Sequence, residues 1–214
     1  MIGICRSLVI PIAVLGAAVL GGGEKKTMSD AELDKFLAEL HEFGLRNTMW
    51  NVSPEDGLYL RIVAGSIGAK RVLELGTSNG YSGINICRSL RETQGKLVTI
   101  ELSEKRAAMA KENFAKAGVS DLVEQIVGDA SKEIAKLSGT FDMIFLDTEK
   151  RDYLTQFELA FPYLRKGGIL MAHNTKDFAD QMPDFLERVK THPELVTVLL
   201  ETSPAGFSVS YRKR

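Results

Sequence analysis

The sequence predicts a doubly wound α/β fold, and three observations carry that prediction. From residue 70 onward, short apolar runs alternate with longer amphipathic ones. Most of the apolar runs stop at a glycine or a polar side chain. The last two runs are joined by a turn too short for a helical crossover.

Two helices precede the alternation. In "SDAELDKFLAELHEFGLR" the residues Leu33, Phe36, Leu37, Leu40 and Phe43 fall at helical spacing, with Ser29 or Asp30 as N-cap. "SPEDGLYLRIVAGSIGA" opens the second, with Pro54 at the first helical position. "RVLELG" (71–76) then reads as a buried strand and "GYSGINICRSLRE" as a helix. "KLVTIEL" (96–102) is a strand, followed by the helix "SEKRAAMAKENFAKAG", which Gly118 ends. "LVEQIVGD" (122–129) is a strand with a short helix after it over 130–138. "FDMIFLD" (141–147) is a strand, "RDYLTQFELAFPYLRKGG" a helix with a Gly-Gly stop, and "ILMAHN" a strand. "FADQMPDFLERVKTH" is a helix, and "VTVLLE" and "FSVSYRK" are closing strands. Strands separated by helices of this length pair in parallel through right-handed crossovers. The closing pair, joined by Ser-Pro-Ala-Gly, must be antiparallel. The expected sheet has seven strands, the last antiparallel, with N-terminal helices outside it.

A chain of 214 residues that is 44% hydrophobic can core one domain, assigned here to residues 28–214. Setting aside Arg6, Lys25, Lys26 and Glu24, that domain carries 24 basic and 27 acidic side chains, which is no nucleic-acid footprint. The two cysteines, Cys5 and Cys87, form no disulfide framework. Residues 1–27 differ in kind. Arg6 is followed by the uncharged "SLVIPIAVLGAAVLGGG" (7–23) and then "EKK". This apolar leader fits a signal peptide, a short membrane anchor, or sequence upstream of a working start at Met28.

In an open α/β sheet, ligands bind beyond the carboxyl ends of the strands. Here those ends carry "GTSNGYSG" (76–83), Glu101, Asp129, Asp147 and His173-Asn174. Gly76 and Gly80 allow a tight turn and close approach to a ligand, and the helix that follows offers free N–H groups. The spacing is not that of a dinucleotide loop, and Glu74 adds negative charge where a pyrophosphate would sit. A cationic ligand is favoured. Glu101, 25 residues after Gly76, stands where an acid grips ribose hydroxyls. The competing reading is a tight turn surrounded by solvated carboxylates.

The string "MWNVSPEDGLYL…AKRVLELGTSNGYSG…VTIEL…VGDA…FDMIFLDTEKRDY…LRKGGIL" resembles the S-adenosylmethionine (SAM)-dependent O-methyltransferases of the catechol and caffeoyl-CoA type, from about residue 45 to the C-terminus. The resemblance implies a Rossmann-like SAM methyltransferase fold. It implies that Val52 lines the cofactor, that Glu74 accepts from its amino group, and that Gly76, Tyr81 and Ser82 surround its methionine part. Glu101 would hold the ribose; Asp129, Ala130 and Ser131 would border the adenine; Asp147 would touch both cofactor and metal. In "LDTEKRDY" Asp147 would bind a divalent ion and Lys150 would take the substrate proton.

Where the family shows Asp-Asn, this chain has His173-Asn174. The ligand set becomes Asp147, His173 and Asn174, which trades a hard oxygen for an imidazole nitrogen. Magnesium prefers oxygen, whereas Mn, Co and Zn accept imidazole. The ion is therefore Mg or a softer one. Three alternatives stay open: a metal-independent enzyme with His173 at the substrate, a His173 merely packed at its strand end, and a non-catalytic SAM-binding protein. On the substrate side, Trp50 would form an apolar wall, Lys150 and Asn174 would face the hydroxyl, and Glu201 would contact a second hydroxyl with a two-residue offset. His41 and His192 read as surface residues. "DTEK" stands where nucleic-acid or protein methylation would need an Asn/Asp-Pro-Pro-aromatic motif. The expected partner is a small aromatic diol, not nucleic acid, with the chain a monomer or homodimer. Because SAM is cytosolic, the domain is expected on the cytoplasmic side, anchored through residues 7–23 or started at Met28.

Overall fold

A computed structural model of the chain describes residues 28–201 and 203–214. The leader readings concern residues 1–27 and lie outside the described residues. No helix among the described residues is long and apolar enough to cross a membrane.

Helix α1 (Asp30–Arg46) starts at Ser29, whose hydroxyl accepts from the Glu32 N–H while Glu32 returns a carboxylate to the Ser29 N–H at 2.8 Å. This reciprocal cap satisfies two donors that a helix start would otherwise leave bare. Helix α2 (Pro54–Ser66) is capped by Ser53, which accepts from the Asp56 N–H at 3.1 Å. Seven strands follow: β1 (Arg71–Leu75), β2 (Lys96–Glu101), β3 (Val123–Val127), β4 (Phe141–Leu146), β5 (Leu164–His173), β6 (Leu195–Leu200) and β7 (Phe207–Arg212). Between them run α3 (Tyr81–Thr93), α4 (Glu104–Lys116), α5 (Ala130–Glu133), α6 (Tyr153–Ala160) and α7 (Pro183–Thr191).

The sheet order is β3-β2-β1-β4-β5-β7-β6. The first five strands are parallel, and β7 runs antiparallel to both neighbours. The fold class holds. The order reverses direction between β1 and β4, so a crevice opens beyond their carboxyl ends. Alternating strand residues face opposite layers. Val72, Met143, Phe145 and Met171 pack with α1–α4, while Leu73, Leu75, Ile144 and Leu146 pack with α6 and α7.

Two boundaries differ from the sequence expectation. The segment "LRKGG", expected to end a helix, belongs to β5: Pro162 sits in a 3₁₀ turn after α6, and the strand begins at Leu164. Leu164 pairs with Phe141, yet the next paired residue is Ile169 opposite Met143, so the chain bulges around Gly167 at φ +78°. Helix α7 starts only at Pro183, since proline suits a first helical position. Neither remaining histidine is a plain surface residue. His192 is buried against Phe161, ring centroids 4.4 Å apart, and half-buried His41 lies against Tyr81.

Candidate active site

The turn after β1 brings the glycine loop against the end of β4. Gly76 adopts φ +97°, and a Cβ there would lie 2.1 Å from the Asp147 carbonyl oxygen. Only glycine fits. Ser78, itself at φ +49°, donates its N–H to Glu101 Oε2 at 2.8 Å and its hydroxyl to the Met49 carbonyl at 2.5 Å. The loop therefore ties the end of β2 to the segment leading into α2. Glu101 Oε1 accepts from the Ser103 N–H at 2.9 Å, and each oxygen keeps a further acceptor position.

These elements enclose a cleft of about 660 Å³, within the usual range for small-ligand sites. At its floor, Asp147 Oδ1 accepts from Lys150 Nζ at 2.9 Å. Lys150 also donates to Tyr153 Oη at 3.0 Å, and that buried hydroxyl can donate to the Leu146 or His173 carbonyl, at 3.1 and 3.2 Å. On the other side of Asp147, His173 Nδ1 lies 3.6 Å from Oδ2, an ion-pair distance beyond hydrogen bonding. His173 Nε2 lies 3.1 Å from Asp56 Oδ2, and both side chains are buried.

Burial alone would raise the Asp147 pKa, but the charges of Lys150 and His173 outweigh it and hold it at about 2. Burial alone would lower His173; the Asp147 charge and the Asp56 contact overcome that and push it up to about 9. Asp56 is likewise held below the usual carboxylate range: burial opposes ionisation, and hydrogen bonds from His173, Ser203 and Ser53 outweigh it. Glu74 goes the other way. Burial pushes it up to about 7, hydrogen bonds from Ser82 and Thr99 offset this only in part, and the nearby Asp147 and Glu101 charges add to the rise.

A family model described as O-methyltransferase matches residues 26–184. The chain belongs to the O-methyltransferase family. The catechol O-methyltransferase of Mycobacterium tuberculosis (strain ATCC 25618 / H37Rv) is 38% identical over 124 residues, 58% of this chain and 56% of the relative. Catechol O-methyltransferase B of Danio rerio is 35% identical over 154 residues, 68% of this chain and 57% of the relative. The chain thus spans somewhat under three fifths of these curated relatives' length. Among solved structures, the Bacillus cereus O-methyltransferase in complex with SAH matches with a TM-score of 0.77 at 28% identity, covering 84% of this chain and 91% of that one.

Within this O-methyltransferase domain, the cleft is lined by Val52, Gly76, Tyr81, Ser82, Glu101, Asp129, Ala130, Asp147, Lys150, His173 and Asn174. Three expected residues are not in its lining. Glu74 is fully buried beneath the loop, its oxygens occupied by the Ser82 and Thr99 hydroxyls at 2.6 and 2.7 Å, so its reach to a ligand runs through Ser82. Ser131 serves the cap of α5, donating its N–H to Asp129. Glu201 is exposed and paired with Lys176 at 2.8 Å, while Ser203, two positions on, lines the cleft. Trp50 is no core residue: 68% exposed and at φ +57°, it lines the cleft from the solvent side.

Sequence reading missed Asp56 and Tyr153. Asp56 heads the stripe Asp56, Leu60, Ala64, one residue per turn and each fully buried or nearly so. An acid leading an apolar helical stripe was the available signal. Tyr153 carried none, because an aromatic at helical spacing ordinarily means core packing.

Among the described residues, no group of three or more His, Cys, Asp or Glu side chains is arranged to hold a metal ion. That leaves the mixed set of Asp147, His173 and Asn174, and its chemistry fits an ion. His173 Nδ1 is buried without a hydrogen-bond partner, and its other nitrogen is on a carboxylate, as in metal-ligating histidines. Asn174 donates its amide N–H groups to Asp177 at 3.1 and 3.2 Å, which leaves Oδ1 as its ligating atom.

Proposed function

We propose that this chain transfers the methyl group of SAM to a hydroxyl of a small catechol-like aromatic. The Lys150–Asp147 pair at the cleft floor, beside the glycine loop and Glu101, is the observation that carries the reading.

Methyl transfer from a sulfonium is an in-line displacement, so the protein's work is alignment and making the hydroxyl more anionic. Glu101, with acceptor positions left on both oxygens, suits two ribose hydroxyls. Asp129 and Ala130 border the adenine, and Val52, Tyr81 and Ser82 border the methionine part. Seven carboxylates line the cleft against Arg106, Lys150 and His173, and this negative balance favours a cationic donor. Lys150 Nζ, held by Tyr153 beside Asp147, takes the hydroxyl proton once its own extra proton has passed to solvent. Asn174 and Trp50 border the acceptor. A divalent ion on Asp147, His173 and Asn174 would lower the pKa of a bound hydroxyl and fix its direction.

The test is methyl transfer to a panel of catechols, first with EDTA and then with Mg, Mn, Co or Zn restored. Methylated product that depends on the added ion is the expected result. Product undiminished by EDTA would favour the metal-independent alternative with His173 at the substrate. SAH binding without product under any ion would overturn the enzymatic reading. Because SAM is made in the cytosol, we place the working domain there; native protein beginning near residue 24 in an exported fraction would overturn that placement.

A further inference from the structure

Helix α2 buries one carboxylate. Asp56 is 1% exposed, in a position where a lone ionised acid would be costly without a partner. Local structure brings it there. Ser53 accepts the Asp56 N–H and sets the first turn, and Gly57 lets α2 approach α3 so closely that a Cβ would lie 2.8 Å from the Asn85 amide. The partner of Asp56 comes from the far end of the chain: His173 Nε2, 3.1 Å away and 117 positions later.

The ring of His173 is held on several sides. Phe207 packs against it at a centroid distance of 5.0 Å, and the His173 backbone is paired with Phe207 in the sheet. Its carbonyl lies 3.2 Å from Tyr153 Oη. With Nε2 on Asp56, the nitrogen left over is Nδ1, which is buried, has no hydrogen-bond partner, and faces Asp147 at 3.6 Å. Once an ion displaces the Nδ1 proton, the Nε2 bond to Asp56 fixes the proton that remains.

We propose that Asp56 is a positioning residue. By holding Nε2–H of His173 it turns Nδ1 toward Asp147, where an imidazole-accepting divalent ion displaces the Nδ1 proton and binds through that nitrogen and the oxygens of Asp147 and Asn174. The proposal rests on the methyltransferase reading only for the ion's use, not for its binding. It goes beyond that reading in assigning a role to α2, an element that contributes no ligand. It also makes the choice of ion a property of the Asp56–His173 pair.

The experiment is direct ion binding to the full chain, free of substrate. Co²⁺ is followed by its visible spectrum and by calorimetry, with Mg²⁺ as the comparison. Histidine labelled with ¹⁵N reports the tautomer, which is practical because the chain has only three histidines. Wild type should bind Co²⁺ at least ~10-fold more tightly than Mg²⁺. Zn²⁺ should shift Nδ1 of His173 and leave Nε2 protonated. Asp56→Ala should weaken Co²⁺ binding by roughly 10- to 100-fold, the usual cost of losing such an outer partner. Asp56→Asn, which can still accept from Nε2–H, should recover part of that loss. In a His173→Asp background the sign should reverse, with Asp56→Asn improving Mg²⁺ binding by removing a like charge. Equal Co²⁺ affinity in wild type and Asp56→Ala would overturn the proposal, as would a His173 spectrum that Zn²⁺ leaves unmoved. SAH affinity, measured on the same samples, tests the methyltransferase reading separately.

Discussion

Gly76 and Asp147 meet backbone to side-chain vacancy: the missing Cβ of one is replaced by the carbonyl oxygen of the other, at 2.1 Å from where that Cβ would be. The glycine loop and the chain leaving β4 are thereby one packed unit. Gly76→Ala meets both this contact and the φ of +97°, which L-residues adopt at a cost. The expected loss is about 2 kcal/mol or more by urea denaturation, together with loss of SAH binding by calorimetry. A variant that binds SAH normally would show that the loop and β4 move independently.

Lys150→Met tests the proton acceptor. It should lower kcat by about 10²- to 10⁴-fold while SAH affinity is retained, because Lys150 is not among the residues proposed to hold SAM. A kcat within tenfold of wild type would remove the assigned role.

Glu74 makes stability depend on pH. Its carboxyl is raised from 4.5 to about 7 by burial, so between those values the unfolded chain ionises it and the folded chain resists. Its contribution is thus a destabilisation that grows as pH rises from 4.5 to about 7 and then levels off. Glu74→Gln should gain stability relative to wild type across that window, by up to roughly 3 kcal/mol, read as a difference in Tm at pH 5 and pH 8. A pH-independent difference would mean that the Ser82 and Thr99 hydroxyls hold the carboxylate ionised throughout.

Trp50 separates binding from folding. At 68% exposure its loss should change stability by no more than about 0.5 kcal/mol. If it borders the acceptor at the cleft mouth, Trp50→Ala should raise KM for the aromatic substrate and leave SAH affinity unchanged. An unchanged KM would place the acceptor elsewhere in the cleft.

The alternation of strands and helices is legible in the residue order alone, because period-2 and period-3.6 burial are local properties of the chain. That order also places Gly76, Glu101, Asp129, Asp147 and His173-Asn174 on one edge, since parallel strands with right-handed crossovers place all their carboxyl ends on the same side. The tertiary structure decided what touches what. It set β7 between β5 and β6, carried β5 back to Leu164 through a bulge, and put Ser203 rather than Glu201 at the cleft. It placed Glu74 under the loop and joined Asp56 to His173 across 117 positions. Periodicity reports which face a residue presents; whether two faces bring a carboxylate within 3.1 Å of an imidazole depends on how closely α2 packs, and that is settled by the glycines and side chains between the helices.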